Sequence, residues 1–139
     1  MLHKLGDAIP FESVRPVTGA AQLIEAQKQI AAVHVSDAVA DYIIALANAT
    51  RKHPQLAMGA SPRATRGLYR AAKVWAAMEG RDFVTPDDVK ALAHPVLEHR
   101  LLPDSSARFS RTGAAAILDN VLAGIPASPA PDPDRYGAQ

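Results

Sequence analysis

The sequence predicts an all-α fold, an irregular bundle of about five helices followed by a proline-rich tail. Two observations support this class. Apolar residues recur at the spacing of three and four that is typical of amphipathic helices, and a capping residue or a first-turn proline stands before several of these runs. With 139 residues, 48% of them hydrophobic and 5% aromatic, the chain has the size of one domain with a modest core of small aliphatic side chains.

The first two helices are predicted at residues 20–32 and from Ser36 to Lys52. The first carries an apolar stripe at helical spacing, made of Leu23, Ala26, Gln27, Ile30 and Val33. Residues 33–35 are largely β-branched, so we predict an extended segment there, able to pair with a strand outside this chain. Ser36 is a suitable N-cap for the second helix. The buried face of that helix is predicted to be Val39, Ile43, Leu46, Ala47 and Thr50.

The third helix is predicted from Pro62 to Glu79, with Gly80 as a left-handed C-cap. Its apolar stripe consists of Ala64, Leu68, Ala71, Ala72, Trp75 and Met78. Pro54 and Gly59 bracket the loop that leads into this helix, because both residues favour turns over regular structure.

The last two helices are predicted to start at Thr85 and at Thr112. Thr85 is followed by a first-turn proline and two acids, which is a strong start signal, and Pro95 should bend this helix or end its regular part. Its core contacts are predicted at Val89, Leu92, Ala93, Val96 and Leu97. The fifth helix runs to about Leu122 and buries Ile117, Leu118, Val121 and Leu122.

Composition divides the chain into three parts. Residues 1–19 contain two glycines and two prolines without lasting periodicity, which predicts an extended arm. Residues 20–126 contain all the predicted helices. Residues 127–139 are rich in proline, alanine and aspartate, which predicts a disordered tail.

Charge and residue usage exclude several classes of protein. A net charge of +1 gives no electrostatic footprint for nucleic acid or an anionic membrane, and neither partner is predicted. The absence of cysteine excludes disulfides and thiolate metal sites. No secretory leader or long apolar run is visible, so we expect a cytoplasmic protein. His94 and His99 are five residues apart, not the four that place two ligands on one helical face, so no metal site is predicted.

The start of the third helix is the candidate functional site. Ser61 is a good N-cap, and Pro62 suits the first helical position. Arg63 then places a cation at the positive end of the helix dipole, which is disfavoured by about 0.3–1 kcal/mol. An arginine at this point is expected if an external anion binds there, since helix N-termini attract phosphates. The alternative is a solvated arginine whose small penalty is tolerated.

Other cations follow on the same helix. Arg63, Arg66, Arg70 and Lys73 are spaced by three, four and three residues, so they share one face. This face has three possible roles: it is solvated, it contacts acidic groups of a partner, or it binds DNA as part of a recognition helix. The near-neutral total charge of the chain argues against DNA binding. Arg51 ends the second helix, where a cation suits the dipole.

The residues of an ATPase catalytic core are missing from this sequence. None of the eight glycines is followed by lysine, and no hydrophobic strand ends in paired acids. ATP hydrolysis requires both a phosphate-binding loop and acids for magnesium and water activation. We therefore expect that this chain alone is not catalytic.

The candidate site resembles the sensor-2 motif of the MoxR-type AAA+ ATPases, in which an arginine reaches the γ-phosphate of ATP. The resemblance rests on Gly59-Ala60-Ser61-Pro62-Arg63-Ala64 and on flanking segments in the same order at residues 33–39, 49–51, 79–89 and 96–101. It covers about residues 1–126. It implies the C-terminal helical lid of a ring-forming ATPase that remodels or matures client proteins.

The same resemblance implies partners and roles. Residues 1–19 would link the lid to the AAA+ core of the same protein, and the other partners would be neighbouring ring subunits and a von Willebrand factor A-domain protein. ATP and magnesium would bind mainly to that core. Arg63 would be the catalytic sensor-2 residue, Ser61 and Pro62 would lie beside the phosphates, and Arg66 and Arg51 would lie at interfaces. The alternative is a free-standing helical module that binds protein or DNA.

Overall fold

The computed structural model describes residues 14–110 and 112–126 and confirms the all-α class. Six helices lie in these residues: α1 Ala20–Ala32, α2 Asp37–Lys52, α3 Pro62–Met78, α4 Pro86–Leu97, α5 Ser105–Phe109 and α6 Ala114–Gly124. A 3-10 turn at Glu98–Arg100 follows α4, and two short strands are β1 Leu56–Met58 and β2 Leu102–Pro103. The predicted tail and residues 1–13 of the predicted arm lie outside the described residues.

The helix starts that depend on a hydroxyl cap are confirmed. Ser36 Oγ accepts a hydrogen bond from the backbone N–H of Val39 at 3.3 Å. Gly80 adopts the predicted left-handed conformation, with φ of 74°, just after α3 ends at Met78. These ends are local arrangements of a few consecutive residues, so sequence alone can specify them.

The extended segment at 33–35 pairs within the chain, and pairing with a strand outside the chain stays a prediction. His34 forms a parallel bridge with Phe83, in which its N–H donates to the Asp82 carbonyl at 2.7 Å and its carbonyl accepts from the Val84 N–H at 3.0 Å. The turn after Gly80 brings residues 82–84 back beside the start of α2, which supplies the partner.

The sequence did not indicate the two short strands or the short helix α5. Strand β1 pairs antiparallel with β2, with Leu56 opposite Pro103. The short helix α5 follows Asp104, whose Oδ1 accepts from the Ala107 N–H at 2.8 Å. Thr112 does not start the last helix, because its N–H donates to the Ala107 carbonyl at 2.8 Å and completes the turn after α5. Gly113 is the N-cap of α6.

The core lies where α2, α3, α4 and α6 meet. It contains Leu46 of α2, Leu68 of α3, Leu97 of α4 and Leu118 of α6, all with at most 1% of their surface exposed. Every predicted core residue of α2 is buried. In α3 the buried residues follow a spacing of four, so Ala76 is buried while Trp75 and Met78 are 38% and 75% exposed, against the prediction. Three buried alanines on this stripe allow α4 to pack closely against α3.

Helix α1 is attached differently from the others. None of its residues is buried, and Leu23 of its predicted stripe is 55% exposed. It contacts α3, where the Lys73 ammonium donates to the Ala31 carbonyl at 2.7 Å and so caps the C-terminal end of α1. Its apolar residues are therefore left on the surface. Among the described residues, no helix has the combination of length and apolar character required to cross a bilayer.

Candidate functional site

The end of α2 holds the backbone that leads into α3. The Thr50 hydroxyl accepts a hydrogen bond from the Ala60 N–H at 2.9 Å and donates to the Ala47 carbonyl at 2.7 Å. The next residue, Arg51, donates from its Nε to the Ala60 carbonyl at 2.6 Å. Thr50 and Ala60 are fully buried. Two consecutive residues of α2 thus satisfy both polar groups of Ala60 and fix the residue immediately before the Ser61 cap.

Gly59 is required at this corner because no side chain fits there. A Cβ atom on Gly59 would lie 2.5 Å from the Arg51 nitrogen and 2.5 Å from the Thr50 carbonyl carbon. Real Cβ atoms do not approach backbone that closely, so any other residue would push the loop away from α2. The glycine of the predicted motif therefore has a packing reason.

The start of α3 is capped as predicted. The Ser61 side-chain oxygen accepts from the Ala64 N–H at 3.2 Å, and Pro62 occupies the first turn without an N–H of its own. One amide of the first turn is thus occupied and another is missing. An anion at this helix end would depend on side chains more than on free backbone amides.

Arg51 has a structural role that the sequence indicated only in part. Besides its bond to Ala60, its guanidinium donates to the Asn48 side-chain oxygen at 3.1 Å and to the Thr65 hydroxyl at 3.3 Å. It therefore joins the end of α2 to the first turn of α3. Its interface role stays a prediction.

Arg63 and Arg66 lie on a groove together with two further arginines. The groove has a volume of about 570 Å³ and is lined by Pro62, Arg63, Arg66, Gly67, Arg70 and Arg100. We call it the arginine groove. Within residues 14–110 and 112–126, none of these four arginines forms an ion pair. The sequence analysis assigned no site role to Arg70 and did not identify Arg100, which comes from the 3-10 turn after α4.

A second groove lies on the other side of Pro62, between α2 and α3. It has a volume of about 420 Å³ and is mostly apolar, with Ile43, Ile44 and Tyr69 among its lining residues. Pro62 and Arg66 border both grooves. Ile44 is 51% exposed. An apolar surface and a basic surface therefore meet at the start of α3.

The other charged clusters are paired inside the chain. Arg81 donates two hydrogen bonds to the buried Asp88 carboxylate, at 2.8 and 2.6 Å. His94 lies between two acids, with Nδ1 3.0 Å from Glu98 and Nε2 2.9 Å from Asp119. The hydrogen bonds with Glu98 and Asp119 raise the pKa of His94 above its ordinary value, since they favour the charged imidazolium. These clusters pair their charges within the chain, unlike the four arginines of the arginine groove.

The start of α3 in this small helical domain thus borders a basic groove and an apolar groove. The chain belongs to the AAA lid domain family, which it matches over residues 48–121. It is 33% identical to the uncharacterized protein YeaC of Bacillus subtilis, over 84% of this chain and 36% of that protein. It is 31% identical to Chaperone MoxR1 of Mycobacterium tuberculosis, over 88% of this chain and 34% of that protein.

A solved structure supports the same assignment. The chain superimposes with a TM-score of 0.73 and 29% identity on a crystal structure from Cytophaga hutchinsonii of a protein named as an ATPase, covering 78% of this chain and 36% of that one. These matches confirm the predicted MoxR-type AAA+ lid. The chain spans about a third of the length of the curated relatives it matches.

Proposed function

We propose that this lid closes over ATP held by an AAA+ core and that Arg63 binds the γ-phosphate. The observation that carries the proposal is the position of Arg63, in the first turn of a helix whose start is fixed by Thr50, Arg51 and Gly59. A guanidinium on a rigid support can stabilise charge that develops on a transferred phosphoryl group without reorganising. Ser61 and Pro62 shape this helix end and lie beside the phosphates.

The two grooves support a closing motion onto another domain. The apolar groove between α2 and α3 exposes Ile44, and α1 exposes Leu23 and Ile24. Surface of this kind usually marks a contact with another domain. We propose that the core covers part of it, and that Arg66 meets acidic groups of the core or of a neighbouring ring subunit.

The rest of the functional assignment follows from family membership. ATP and magnesium would bind mainly to the core, since no phosphate-binding loop is present here. The ring would act on client proteins in the cytoplasm, in agreement with the name of the mycobacterial relative as a chaperone. A von Willebrand factor A-domain protein would be a partner. The alternative is a free-standing module that binds DNA or protein through α3.

The test uses a polypeptide in which this chain follows an AAA+ core. Arg63→Ala should lower ATP turnover by about 10²–10³-fold, as expected for the loss of one preorganised electrostatic group. Lys28→Ala is the matched control, because it removes an exposed cation of α1. Unchanged turnover and unchanged ATP-dependent assembly in Arg63→Ala would reject the proposal. DNA binding that weakens steeply with salt would instead support the alternative module.

A further inference from the structure

The arginine groove contains a residue that comes from outside α3. Arg100 belongs to the 3-10 turn after α4, yet it lines the same groove as Arg63, Arg66 and Arg70. Its Nη1 lies 4.0 Å from the position that a Cβ atom on Gly67 would occupy. The guanidinium of Arg100 therefore lies against the one position of this helix face that has no side chain.

Gly67 lies between two arginines on the face of α3. It follows Arg63 by four residues and precedes Arg70 by three, so all three positions share one side of the helix. Because Gly67 has no side chain, the row of arginines has a gap, and Arg100 fills it from the neighbouring element. Three guanidiniums thus stand in a row along the groove, with Arg66 beside them.

No acid among the described residues pairs with the cations of the groove. The Arg100 Nε donates to His99 Nε2 at 3.0 Å, and its two terminal nitrogens make no hydrogen bond with the described residues. Like charges that line one groove repel one another, and an anion bound between them would offset that repulsion. The volume of about 570 Å³ falls in the range of small-molecule pockets. The groove therefore fits a compact ligand that carries several negative charges.

We propose that Arg100 is a second phosphate-binding residue. Together with Arg63 it would hold the phosphate chain of a nucleotide, which would lie over Gly67. This inference rests on the proposed function and adds a residue to the same site. Two guanidiniums from separate elements can each bind a different phosphate group bidentately. The site would then favour a triphosphate over a monophosphate, because only the longer anion reaches both.

The test titrates the full 139-residue chain with inorganic tripolyphosphate at low ionic strength, with inorganic phosphate for comparison. The wild-type chain should bind tripolyphosphate more tightly than phosphate, and Arg100→Gln should weaken tripolyphosphate binding by about tenfold, the usual effect of one lost charged hydrogen bond. Lys28→Gln is the control for the loss of a cation elsewhere. Thermal unfolding of each variant verifies that it is folded.

A second pair of variants tests anion binding in the arginine groove without substituting an arginine. A Cβ on Gly67 meets Val96 and Arg100 only at ordinary van der Waals distances, so Gly67→Ala should fold as the wild type does and serves as the uncharged reference for Gly67→Glu. Gly67→Glu should abolish tripolyphosphate binding, because it places a carboxylate beside Arg100. Equal affinity in Gly67→Glu and Gly67→Ala would overturn the inference.

The outcomes separate this inference from the proposed function. If Arg63→Ala weakens tripolyphosphate binding and Arg100→Gln does not, Arg100 is no phosphate ligand while the role of Arg63 stands. If the wild-type chain shows no saturable binding, the second phosphate site is rejected, and ATP turnover of the joined polypeptide still decides the role of Arg63.

Discussion

Two helices of this lid start with the same pair of residue types but carry opposite charges in the next positions. Both α3 and α4 begin with a hydroxyl residue and a proline, Ser61-Pro62 and Thr85-Pro86. In both, the hydroxyl accepts from the amide three residues on, at 3.2 and 3.3 Å. The first turn then contains Arg63 in α3 and two aspartates in α4.

The start of α4 is arranged for stability. The Asp88 carboxylate accepts from the Thr85 N–H at 2.8 Å, which completes a capping box, and binds Arg81 bidentately. Burial raises the pKa of Asp88, but the hydrogen bonds from Arg81 and Thr85 together outweigh it and leave that pKa below its ordinary value. An anion also suits the positive end of the helix dipole. Each charge at this end has a partner inside the chain.

The start of α3 has the opposite charge and no internal ion pair among the described residues. Its cation lies where the dipole disfavours it, and no acid of the described residues neutralises Arg63 or the arginines beside it. The two starts therefore share the same kind of cap and differ in the charge of the first turn, which is paired within the chain in α4 and has no partner among the described residues in α3.

The largest expected effect is at α4. Asp88→Ala should lower the free energy of unfolding by about 2–4 kcal/mol, because it removes a cap and leaves the Arg81 guanidinium without its buried partner. Asp87→Ala is the control in the same turn: its side chain is 87% exposed, and it should cost less than about 0.5 kcal/mol. Urea unfolding measures both. Similar losses in the two variants would show that α4 has no specially stabilised start.

The support under α3 should show the next effect. Thr50→Val keeps the shape of the side chain but removes the acceptor of the buried Ala60 N–H. This substitution should lower the free energy of unfolding by about 1–3 kcal/mol. Thr65→Val removes a half-buried hydroxyl one turn into α3, and it should lower the free energy of unfolding by less than Thr50→Val does. If Thr50→Val were as stable as the wild type in urea, the start of α3 would not depend on α2.

A smaller effect, a gain in stability instead of a loss, is expected on substitution of Arg63. In the 139-residue chain, Arg63→Glu should raise the free energy of unfolding by about 1 kcal/mol, since it replaces a disfavoured charge by a favoured one. The effect should shrink at high salt. A loss of stability on this substitution would contradict the view that Arg63 is retained for an external anion.

The weakest effect is the pH dependence of His94, at the other end of α4. Its pKa is raised in the folded state, so its contribution is fully present below the unfolded pKa of about 6.5 and is lost as pH rises through the higher folded value. The thermal midpoint of the wild type should therefore fall relative to that of His94→Gln between about pH 6 and pH 8. Parallel curves for the two proteins would show that Glu98 and Asp119 do not stabilise the imidazolium.

Sequence reasoning was most successful where structure depends on a few consecutive residues. The starts of α2, α3 and α4 followed from Ser36, Ser61 and Thr85 because an N-cap is a local hydrogen bond. The bounds of α1 were also correct, although its stripe is not buried, because periodicity indicates a helix without showing what covers it.

Features set by contacts between distant segments were missed. The pairing of β1 with β2 joins strands of two and three residues, too short to have a sequence pattern. Arg100 enters the arginine groove only because the turn after α4 packs over Gly67, which spacing along α3 cannot reveal. Trp75 is exposed because the buried stripe of α3 continues through Ala76. In each case the missing information is tertiary packing.

The most direct test of the role of Arg63 is a structure of this chain joined to an AAA+ core, with a non-hydrolysable ATP analogue bound. The account predicts the Arg63 guanidinium at a charge-assisted hydrogen-bond distance, about 2.7–2.9 Å, from an oxygen of the γ-phosphate. A closed lid with that guanidinium turned toward solvent, away from the triphosphate, would contradict it.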